Sequence, residues 1–592
     1  MIDLHDKKSR GSVLYAIKTS DEALVPFRQV RKELIQDYVG SLYSIGGAEN
    51  KTLVNLTNQT ARIYSVALAS NNPQVRVSTP KVENQAFARR FEINLNKLIA
   101  DMELDVTFRA IVLDAFFCIG CGVVMMRDTD TRFHGLLESE EDVWLDPGEP
   151  WLNRVSLDDL ILDMSAKELT KMRFCGHKYR ADYEKVMDEP GYNKEAKSKL
   201  TPTKKSSIDN SDSARDIASE TDDDELKPMV WLQDIWIAEN NTISTMAIGQ
   251  KDIPPLIERG WTGSQAGPYK FLSLGNVPDN VIPASPAINL KPMHDLQNRL
   301  FRRMEDDSES HKVINTYTPA GAEDAESVRT ADRNSWIKMR DVSAIGQTEV
   351  GGVDQRDQAL TLFVQDYFDR MAGNLQAMGG LGAQASTVGQ EEIIQGQVSR
   401  TEADMRMAVV KFASECTTDL GRLMWEDQNM ELQTSMPVGN TGIEVSSNWT
   451  QGDREGVIED YELKVEEFSM VFKTPEQQLQ EMFQTLNQIG PLWPMFQASG
   501  ATIDAEAIVD EIARLKNRPE FKRFITFANP ADMLGGDQNT VRQSPVTSRE
   551  TVRRNIPTGG TQASRSATLQ QELMGGGQNN SQQKAALGRP PA

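Results

Sequence analysis

Four cysteines and five histidines are the residues whose types could support thiol or metal chemistry in this chain. Cys118 and Cys121 form a C-x-x-C pair, and Cys175 and His177 are the only further candidates for zinc ligands. A zinc site of this class needs a second ligand pair, and a redox pair needs an exposed thiolate at a helix start. This pair instead follows a predicted helix and is flanked by large apolar residues. We therefore expect buried structural thiols, no metal and no cofactor.

The remaining titratable residues form no catalytic motif. The histidines are scattered and match no H-x-x-x-H, H-E-x-x-H or G-x-S-x-G pattern, so surface or core positions are expected for them. Acidic residues cluster at Glu305, Asp306 and Asp307 and again at Asp366 and Asp369. Such carboxylates could bind Mg²⁺ or act as acid and base, but a run of charge is usually a solvated helix face. The other interpretation of these residues is the wall of a channel.

Residues 379–389 are rich in glycine and carry no charge. They lack the G-K-[ST] sequence that a phosphate-binding loop needs. The stretch is therefore either a plain connection between helices or a mobile loop presented into a central space, where an uncharged tip would contact DNA without trapping it. The residues assigned to this loop are Gly379, Gly380, Leu381, Gly382, Gln384, Ser386 and Thr387.

Two predicted helices flank the loop. The first covers residues 356–378, and its helical spacing of apolar residues predicts one buried face made of Leu360, Phe363, Val364, Tyr367, Phe368 and Met371. The second begins at Gln390 and is predicted to continue to about Gln433, with Pro437 ending it and a length of roughly 65 Å. Gly396 and Gly421 are candidate kink points. Its apolar stripe consists of Met405, Val409, Phe412, Cys416, Leu420 and Leu423.

The rest of the chain predicts an α+β protein. Helices are expected at residues 22–72 and 84–117, from Pro286 with a start bent or delayed by Pro292, and at 474–489 and 503–515. Strands are expected at residues 75–77, 123–126, 144–146, 160–163, 229–238, 269–274, 313–317, 336–339, 443–449 and 469–472. The polar residues 194–228 predict a disordered insertion, and the residues from 535 onward predict a flexible tail.

Composition excludes several classes of protein. The 592 residues include 64 Lys and Arg against 86 Asp and Glu, so the formal net charge is −22, which argues against tight binding to nucleic-acid phosphates. No run of 18 apolar residues is present, so neither a membrane span nor a membrane partner is expected. The first residues lack the apolar segment of a signal peptide, and the few cysteines suit a reducing cytoplasm.

The order of elements from residue 286 onward resembles that of tailed-bacteriophage portal proteins, the head-to-tail connector rings. That order is a helix at 286–310, a small β-rich unit at 311–355, a helix at 356–378, a loop at 379–389 and a long helix from 390. The N-terminal half is similar in the segments ARIYSVALASNNPQVRV, FRAIVLDAFFCIGCGVVMMRD, VSLDDLILDMSAKEL and MVWLQDIWIAE. The resemblance covers about residues 22–525 and rests on element order and loose patterns.

This resemblance implies a portal-protein fold with long α-helices in stem, wing and crown, a β-rich clip and a mixed α/β wing. The implied domains are an N-terminal wing at 1–285 with the insertion at 194–228, a first stem helix at 286–310, a clip at 311–355, a second stem helix at 356–378, a tunnel loop at 379–389, a long helix with C-terminal wing strands at 390–473, crown helices at 474–534 and a flexible tail at 535–592.

The resemblance further implies a ring, usually of twelve copies, at one capsid vertex of a virion assembled in the host bacterial cytoplasm. Double-stranded DNA would pass through its channel, driven by a separate terminase whose large subunit docks on the clip and is later replaced by tail adaptors. The major capsid protein would surround the ring, and no enzymatic activity is expected. Candidate channel residues are Glu305, Asp306, Asp307, Asp357, Asp366 and Asp369, and candidate clip contacts are Trp336, Lys338 and Arg340.

Two other classes of protein remain open at this point. One is a different head–tail connector or an internal virion protein, which would lack a compact unit between two antiparallel helices. The other is a metal-dependent nuclease, which would need the acidic clusters to converge in one pocket.

Overall fold

The computed structural model describes residues 2–40, 54–127, 133–134, 144–145, 148–189, 191–203, 227–250, 252–373, 388–427, 430, 432–437, 444–450, 452, 454–466, 469–470, 475–492, 508–509, 512–513 and 516. The chain divides into two compact units, Met1–Ala507 and Ile508–Ala592. Of the second unit, only residues 508–509, 512–513 and 516 fall within the described ranges.

The first unit combines helices with antiparallel strands, which confirms the predicted α+β class. Its helices are α1 (Lys7–Val39), α2 (Leu56–Leu68), α3 (Gln85–Asp101), α4 (Leu104–Phe117), α5 (Tyr183–Asp188), α6 (Lys194–Lys199), α7 (Pro286–Glu309), α8 (Ala322–Thr330), α9 (Gln355–Met371), α10 (Val388–Glu426) and α11 (Pro475–Ile489). Its strands are β1 (Val75–Ser78), β2 (Gly120–Arg127), β3 (Phe133–His134), β4 (Trp144–Leu145), β5 (Glu149–Arg154), β6 (Leu160–Leu162), β7 (Phe174–Asp182), β8 (Met229–Ile237), β9 (Thr242–Ala247), β10 (Ile257–Gly260), β11 (Tyr269–Leu272), β12 (Lys312–Tyr317), β13 (Ile345–Val350), β14 (Leu432–Pro437), β15 (Glu444–Trp449) and β16 (Glu462–Val465). Among the described residues, no helix is long and apolar enough to cross a membrane.

Two antiparallel sheets organise the N-terminal half of the first unit. One has the strand order β11-β2-β5 and the other β10-β9-β8-β7-β6. A single large core joins the three-stranded sheet to α2, α3, α4 and α10. The predicted apolar stripe of the long helix is confirmed, because all six of its positions from Met405 to Leu423 are buried in this core.

The long helix α10 differs from its predicted extent at both ends. It begins at Val388, inside the predicted loop, and ends at Glu426 rather than near Gln433. Pro437 does not end this helix but lies in the last residue pair of the two-stranded β14–β15 sheet, a place where a missing N–H is tolerated. The guanidinium of Arg454 donates to two carbonyl oxygens at the C-terminal end of α10, which fixes where the helix stops.

Neither candidate kink point interrupts α10, which runs through both Gly396 and Gly421. Gly421 has a different role, because it lets the helix approach β16 closely. A Cβ atom built on Gly421 would lie 2.6 Å from Cδ2 of Leu463 and 3.5 Å from Cδ2 of Leu95. The glycine therefore permits this close approach, and a side chain at this position would have to displace Leu463.

In two places, the structure has two separate helices where the sequence predicted one. The helix predicted at 22–72 is instead α1, which begins at Lys7 behind the Asp6 cap, and a separate α2. The helix predicted at 84–117 is divided between α3 and α4 by Glu103, whose φ of 50° is left-handed. Pro292 neither delays nor blocks α7, which begins at Pro286 with Ser285 as its N-cap and continues through Pro292.

The prediction of a disordered insertion at 194–228 is wrong for its first residues. Residues 194–199 form α6, with Asn193 as its N-cap, and Ala196 and Leu200 are buried. Both pack into a small core together with Val230 and Leu256. These two apolar side chains anchor the short polar segment on the five-stranded sheet, and the remainder at 204–226 lies outside the described residues.

Two predicted strands, at 336–339 and 469–472, do not form over the part of each range that the structure describes. Residues 336–339 have irregular backbone, and the unit that contains them includes the helix α8, which the sequence had not predicted. Residues 469–470 form a turn, and the strand of that region is β16, which pairs with β1. The other predicted strands are confirmed to within three residues at each end, apart from the ends at 146 and 443, which lie outside the described residues.

Candidate subunit interface

Helices α7 and α9 form an antiparallel pair that carries a small unit between them. The guanidinium of Arg303 on α7 lies 3.3 Å from the carboxylate of Asp357 on α9. Thr361 on α9 donates from its hydroxyl to the sulfur of Met304 at 3.7 Å. Asp354 caps α9 by accepting from the backbone N–H of Arg356 at 3.0 Å. These contacts place the C-terminal half of α7 beside the N-terminal half of α9.

The unit between the two helices, residues 312–350, has almost no core of its own. Strands β12 and β13 pair over six residues, and every residue of β12 is exposed. Among the described residues of the unit, only Gly321, Asp324 and Ala344 are buried. The carboxylate of Asp324 accepts from the backbone N–H of Arg340 at 2.9 Å and so holds the irregular stretch against α8.

Exposed apolar side chains concentrate on this pair and its unit. Thirteen of the 21 large hydrophobic side chains that are exposed among the described residues lie between Ile288 and Met371. They are Ile288, Val313, Ile314, Tyr317, Val328, Trp336, Val342, Val350, Leu360, Leu362, Phe363, Tyr367 and Met371. Because large exposed apolar patches mark interaction sites, this region is the candidate surface for binding another molecule.

The predicted buried face of α9 is only half buried in the single chain. Val364 and Phe368 are buried, whereas Phe363 is 64% exposed, Tyr367 45% and Met371 44%. The single chain therefore buries only part of the face that the spacing predicts to be buried. The reason is that α7 covers one side of the apolar face of α9, and no described residue covers the other side.

The candidate acidic residues do not converge in one pocket. Asp357 is bound to Arg303, and Asp366 pairs with Arg370 on the same helix at 2.8 Å. Glu305 and Asp306 are exposed near the C-terminal end of α7, while Asp307 and Asp369 are half-buried. Among the described residues, no group of three or more His, Cys, Asp or Glu side chains could hold a metal ion.

The three candidate clip residues lie together on the irregular stretch of the 312–350 unit. The Trp336 side chain is fully exposed, at 102% of its reference area. Lys338 is also exposed, and Arg340 forms an exposed ion pair with Glu323 at 3.0 Å. A fully exposed indole beside cationic side chains can anchor a partner through apolar contact and charge.

The tunnel-loop candidates Gly379, Gly380, Leu381, Gly382, Gln384, Ser386 and Thr387 lie outside the described residues. The last two residues of the predicted loop, 388 and 389, belong to α10.

The two thiols of the C-x-x-C pair lie in different surroundings. Cys118 is buried beside Arg31 and Asp114, and burial raises the pKa of its thiol to about 11. Cys121 lies within electrostatic range of Cys175 and Cys416, and burial raises the pKa of each of these three thiols well above the usual range. All four cysteines are buried and free.

His177 makes a hydrogen bond rather than belonging to a ligand set. Its Nδ1 lies 2.9 Å from the hydroxyl of Tyr269, which donates to the carbonyl oxygen of Asp234 at 3.1 Å. Burial lowers the pKa of His177, so the neutral ring is favoured.

A buried ion pair on α10 was not found by reasoning from the sequence. Asp419 is fully buried, its carboxylate lies 2.7 Å from the ammonium of Lys270 on β11, and Ser264 donates to it from both its backbone N–H and its hydroxyl at 3.0 Å. The available signal was a carboxylate between Cys416 and Leu420 on an otherwise apolar stripe. Its partner lies about 150 residues away, and only the fold brings the two together.

Comparisons with known proteins find similarity only among solved structures. No family model matches the chain, and no curated protein matches it. A chain in a structure described as the virion of a native gene transfer agent particle has 11% identity and a TM-score of 0.31, with 83% of this chain and 93% of that chain covered. A chain in the neck of an empty gene transfer agent particle, computed with C6 symmetry, has 12% identity and a TM-score of 0.31, with 82% and 94% covered.

Proposed function

We propose that this protein is a structural component of a virion and, more specifically, that it forms the portal ring of a tailed-phage-type particle. The observation that carries the proposal is the α7–α9 pair with its nearly coreless unit, whose apolar side chains remain exposed in one chain. Side chains such as Phe363 and Tyr367 need a further partner to leave water, and repeated copies of the same chain provide one.

In this proposal α7 and α9 are the stem helices, residues 311–355 are the clip, and α10 connects the stem to the wing. The loop at 379–387 projects into the channel, and the acidic candidates lower the affinity of the channel wall for DNA phosphates. The ring occupies one capsid vertex beside the major capsid protein. Double-stranded DNA passes through it during packaging and ejection.

The exposed clip residues Trp336, Lys338 and Arg340 are proposed to bind the large subunit of the terminase first and tail adaptors later. Chemistry on DNA belongs to the terminase in this scheme, so the chain itself has no catalytic site, metal or cofactor. Metal analysis of the purified protein tests that part, because stoichiometric zinc that depends on Cys118 and Cys121 would contradict it.

Electron microscopy of the purified full-length protein tests the ring directly. Class averages are expected to show closed rings of about twelve subunits, as implied by the resemblance to portal proteins. The matched control is the double variant Phe363→Ser/Tyr367→Ser, which removes exposed side chains without touching the buried core. It is expected to stay folded by circular dichroism and to lose the rings. Light scattering that shows only monomers or dimers of the wild type at micromolar concentration, with or without DNA, would rule the ring out.

A further inference from the structure

Helix α9 presents two exposed faces of different character. At 100° per residue, Phe363, Tyr367 and Met371 share one side, here called the front face. Measured from Tyr367, the middle of the front face, Leu362 lies ~140° around the helix, Asp369 ~160° and Asp366 ~100°, on what we call the rear face. The side that packs on α7 is a third one, marked by the buried Val364 and Phe368.

The front face is apolar, pre-organised and bordered by positive charge. The rings of Phe363 and Tyr367 stack at 6.3 Å between centroids with an interplanar angle of 17°. Arg356 lies on the same side of the helix and is exposed, and Arg370 borders it. A stacked aromatic pair next to guanidinium groups favours a partner that combines apolar surface with carboxylates.

The rear face has that combination. Leu362 is 67% exposed, an unusual place for a leucine on an otherwise polar side of a helix. Asp366 is exposed as well, and its carboxylate pairs with Arg370 within the same helix. Apolar area and charge on the two faces of α9 are therefore complementary to each other.

From this complementarity we infer that the front face of α9 in one copy packs on the rear face of α9 in the next copy. The inference rests on the proposed ring and specifies its contact. Rotation about a ring axis keeps equivalent residues at equal height, so Phe363 and Tyr367 meet Leu362 and Asp366 of the neighbour. Two different faces of one helix give a head-to-tail contact, which forms a ring when the rotation between copies closes, whereas a front-to-front dimer would leave Leu362 in water.

One consequence concerns the acidic candidates. In this arrangement Asp366 and Asp369 lie between subunits and face Arg370 of the next copy, in addition to the Asp366–Arg370 pair within each helix. The channel wall then depends on acids outside the rear face of α9, of which Glu305 and Asp306 on α7 are exposed.

Cysteine cross-linking tests the contact in the full-length protein. The variants are Leu362→Cys, Tyr367→Cys and the double variant, each treated with a short bismaleimide and separated on a denaturing gel. The two positions are five residues apart on different faces, so they do not bridge within one helix. The wild type is the control for background, because all four native cysteines are buried.

The inference predicts a ladder of covalent oligomers, up to the full ring, for the double variant alone. Dimers formed by Tyr367→Cys by itself would show a front-to-front contact and overturn it. Absence of any ladder in a double variant that forms rings in the microscope would overturn it too, while the proposed ring would stand. Absence of rings in the wild type would rule out both the proposed ring and the inferred contact between neighbouring α9 helices.

Discussion

The ammonium of Lys270 and the carboxylate of Asp419 form the most buried ion pair of the described chain, at 3% and 0% exposure. Removing one partner leaves the other as an uncompensated charge in the core. We expect Asp419→Ala to lower the free energy of unfolding by about 3–5 kcal/mol, measured by chemical denaturation. The control is Glu415→Ala on the same helix, whose exposed pair with Lys411 at 4.0 Å is worth only about 0.5 kcal/mol. Equal losses for the two variants would contradict this view of the buried pair.

The four thiols give a second prediction at this scale. Because burial raises the pKa of Cys118 to about 11, roughly one thiol in a thousand is ionised at pH 8. Alkylation by iodoacetamide should leave the native protein unmodified at pH 8 and modify all four cysteines in denaturant, as read by mass spectrometry. Where alkylation of native Cys118 is measurable, its rate should rise about tenfold per pH unit between pH 8 and 10, since the pKa lies above this range. A plateau near pH 9 would show an accessible thiol with an ordinary pKa.

The third prediction concerns Gly421, because its lack of a side chain allows α10 to lie close to β16. Gly421→Leu is expected to cost about 1–3 kcal/mol of stability, since a side chain there overlaps Leu463. Gly11 is the matched control, a helical glycine in α1 where an added Cβ would have no atom within 4 Å. Gly11→Leu should be neutral or stabilising, because leucine has the higher helix propensity. Thermal unfolding of both variants distinguishes packing from propensity.

At the scale of elements, the 312–350 unit contrasts with the rest of the chain. Sheets β11-β2-β5 and β10-β9-β8-β7-β6 have buried residues on their strands, whereas the residues of β12 are all exposed. A two-stranded ribbon is marginally stable by itself in water. The α7–α9 pair therefore anchors this unit, and its large exposed side chains remain available for partners.

A substitution of Trp336 tests whether the exposed side chains of the 312–350 unit bind a partner. Trp336→Ala is expected to leave the unfolding temperature unchanged, because the side chain is fully exposed. The affinity for the terminase large subunit should fall by about 2 kcal/mol or more, measured by calorimetry, if the indole is the anchor of the contact. Val342→Ala serves as a control within the same unit, with a side chain 76% exposed. Unchanged affinity for Trp336→Ala would move the docking site elsewhere.

For the whole molecule, the loop at 379–387 is the segment expected to act on DNA and not on assembly. Replacing residues 380–387 by a short Gly-Ser link should leave rings intact in the electron microscope. It should impair DNA packaging or retention, measured as DNA per particle, because the shorter link would no longer bring its backbone N–H groups or the side chains of Gln384, Ser386 and Thr387 to the duplex. The control replaces a stretch of equal length at 209–216. Normal packaging and retention in the loop variant would refute the assignment, and loss of rings would make the loop a subunit contact.

The sequence by itself determined the elements whose signal is local. The stripe of α10, the cap of α7, the start of α11, and strands such as β2 and β8 follow from spacing, turn residues and cap residues within a few positions. The order of two helices around a small unit was also readable, because it needs only those local signals. The net charge of −22 limited the kinds of partner in the same way.

Only the tertiary structure decided the features that depend on distant residues. The end of α10 depends on Arg454, the burial of Asp419 on Lys270, and the folding of residues 194–200 on a sheet that forms around them. The apolar face of α9 also shows that a local pattern does not identify the partner that buries it. Its spacing predicts that it is buried, but one chain covers only the side toward α7, because a periodic pattern specifies that a face leaves water and not which molecule covers it.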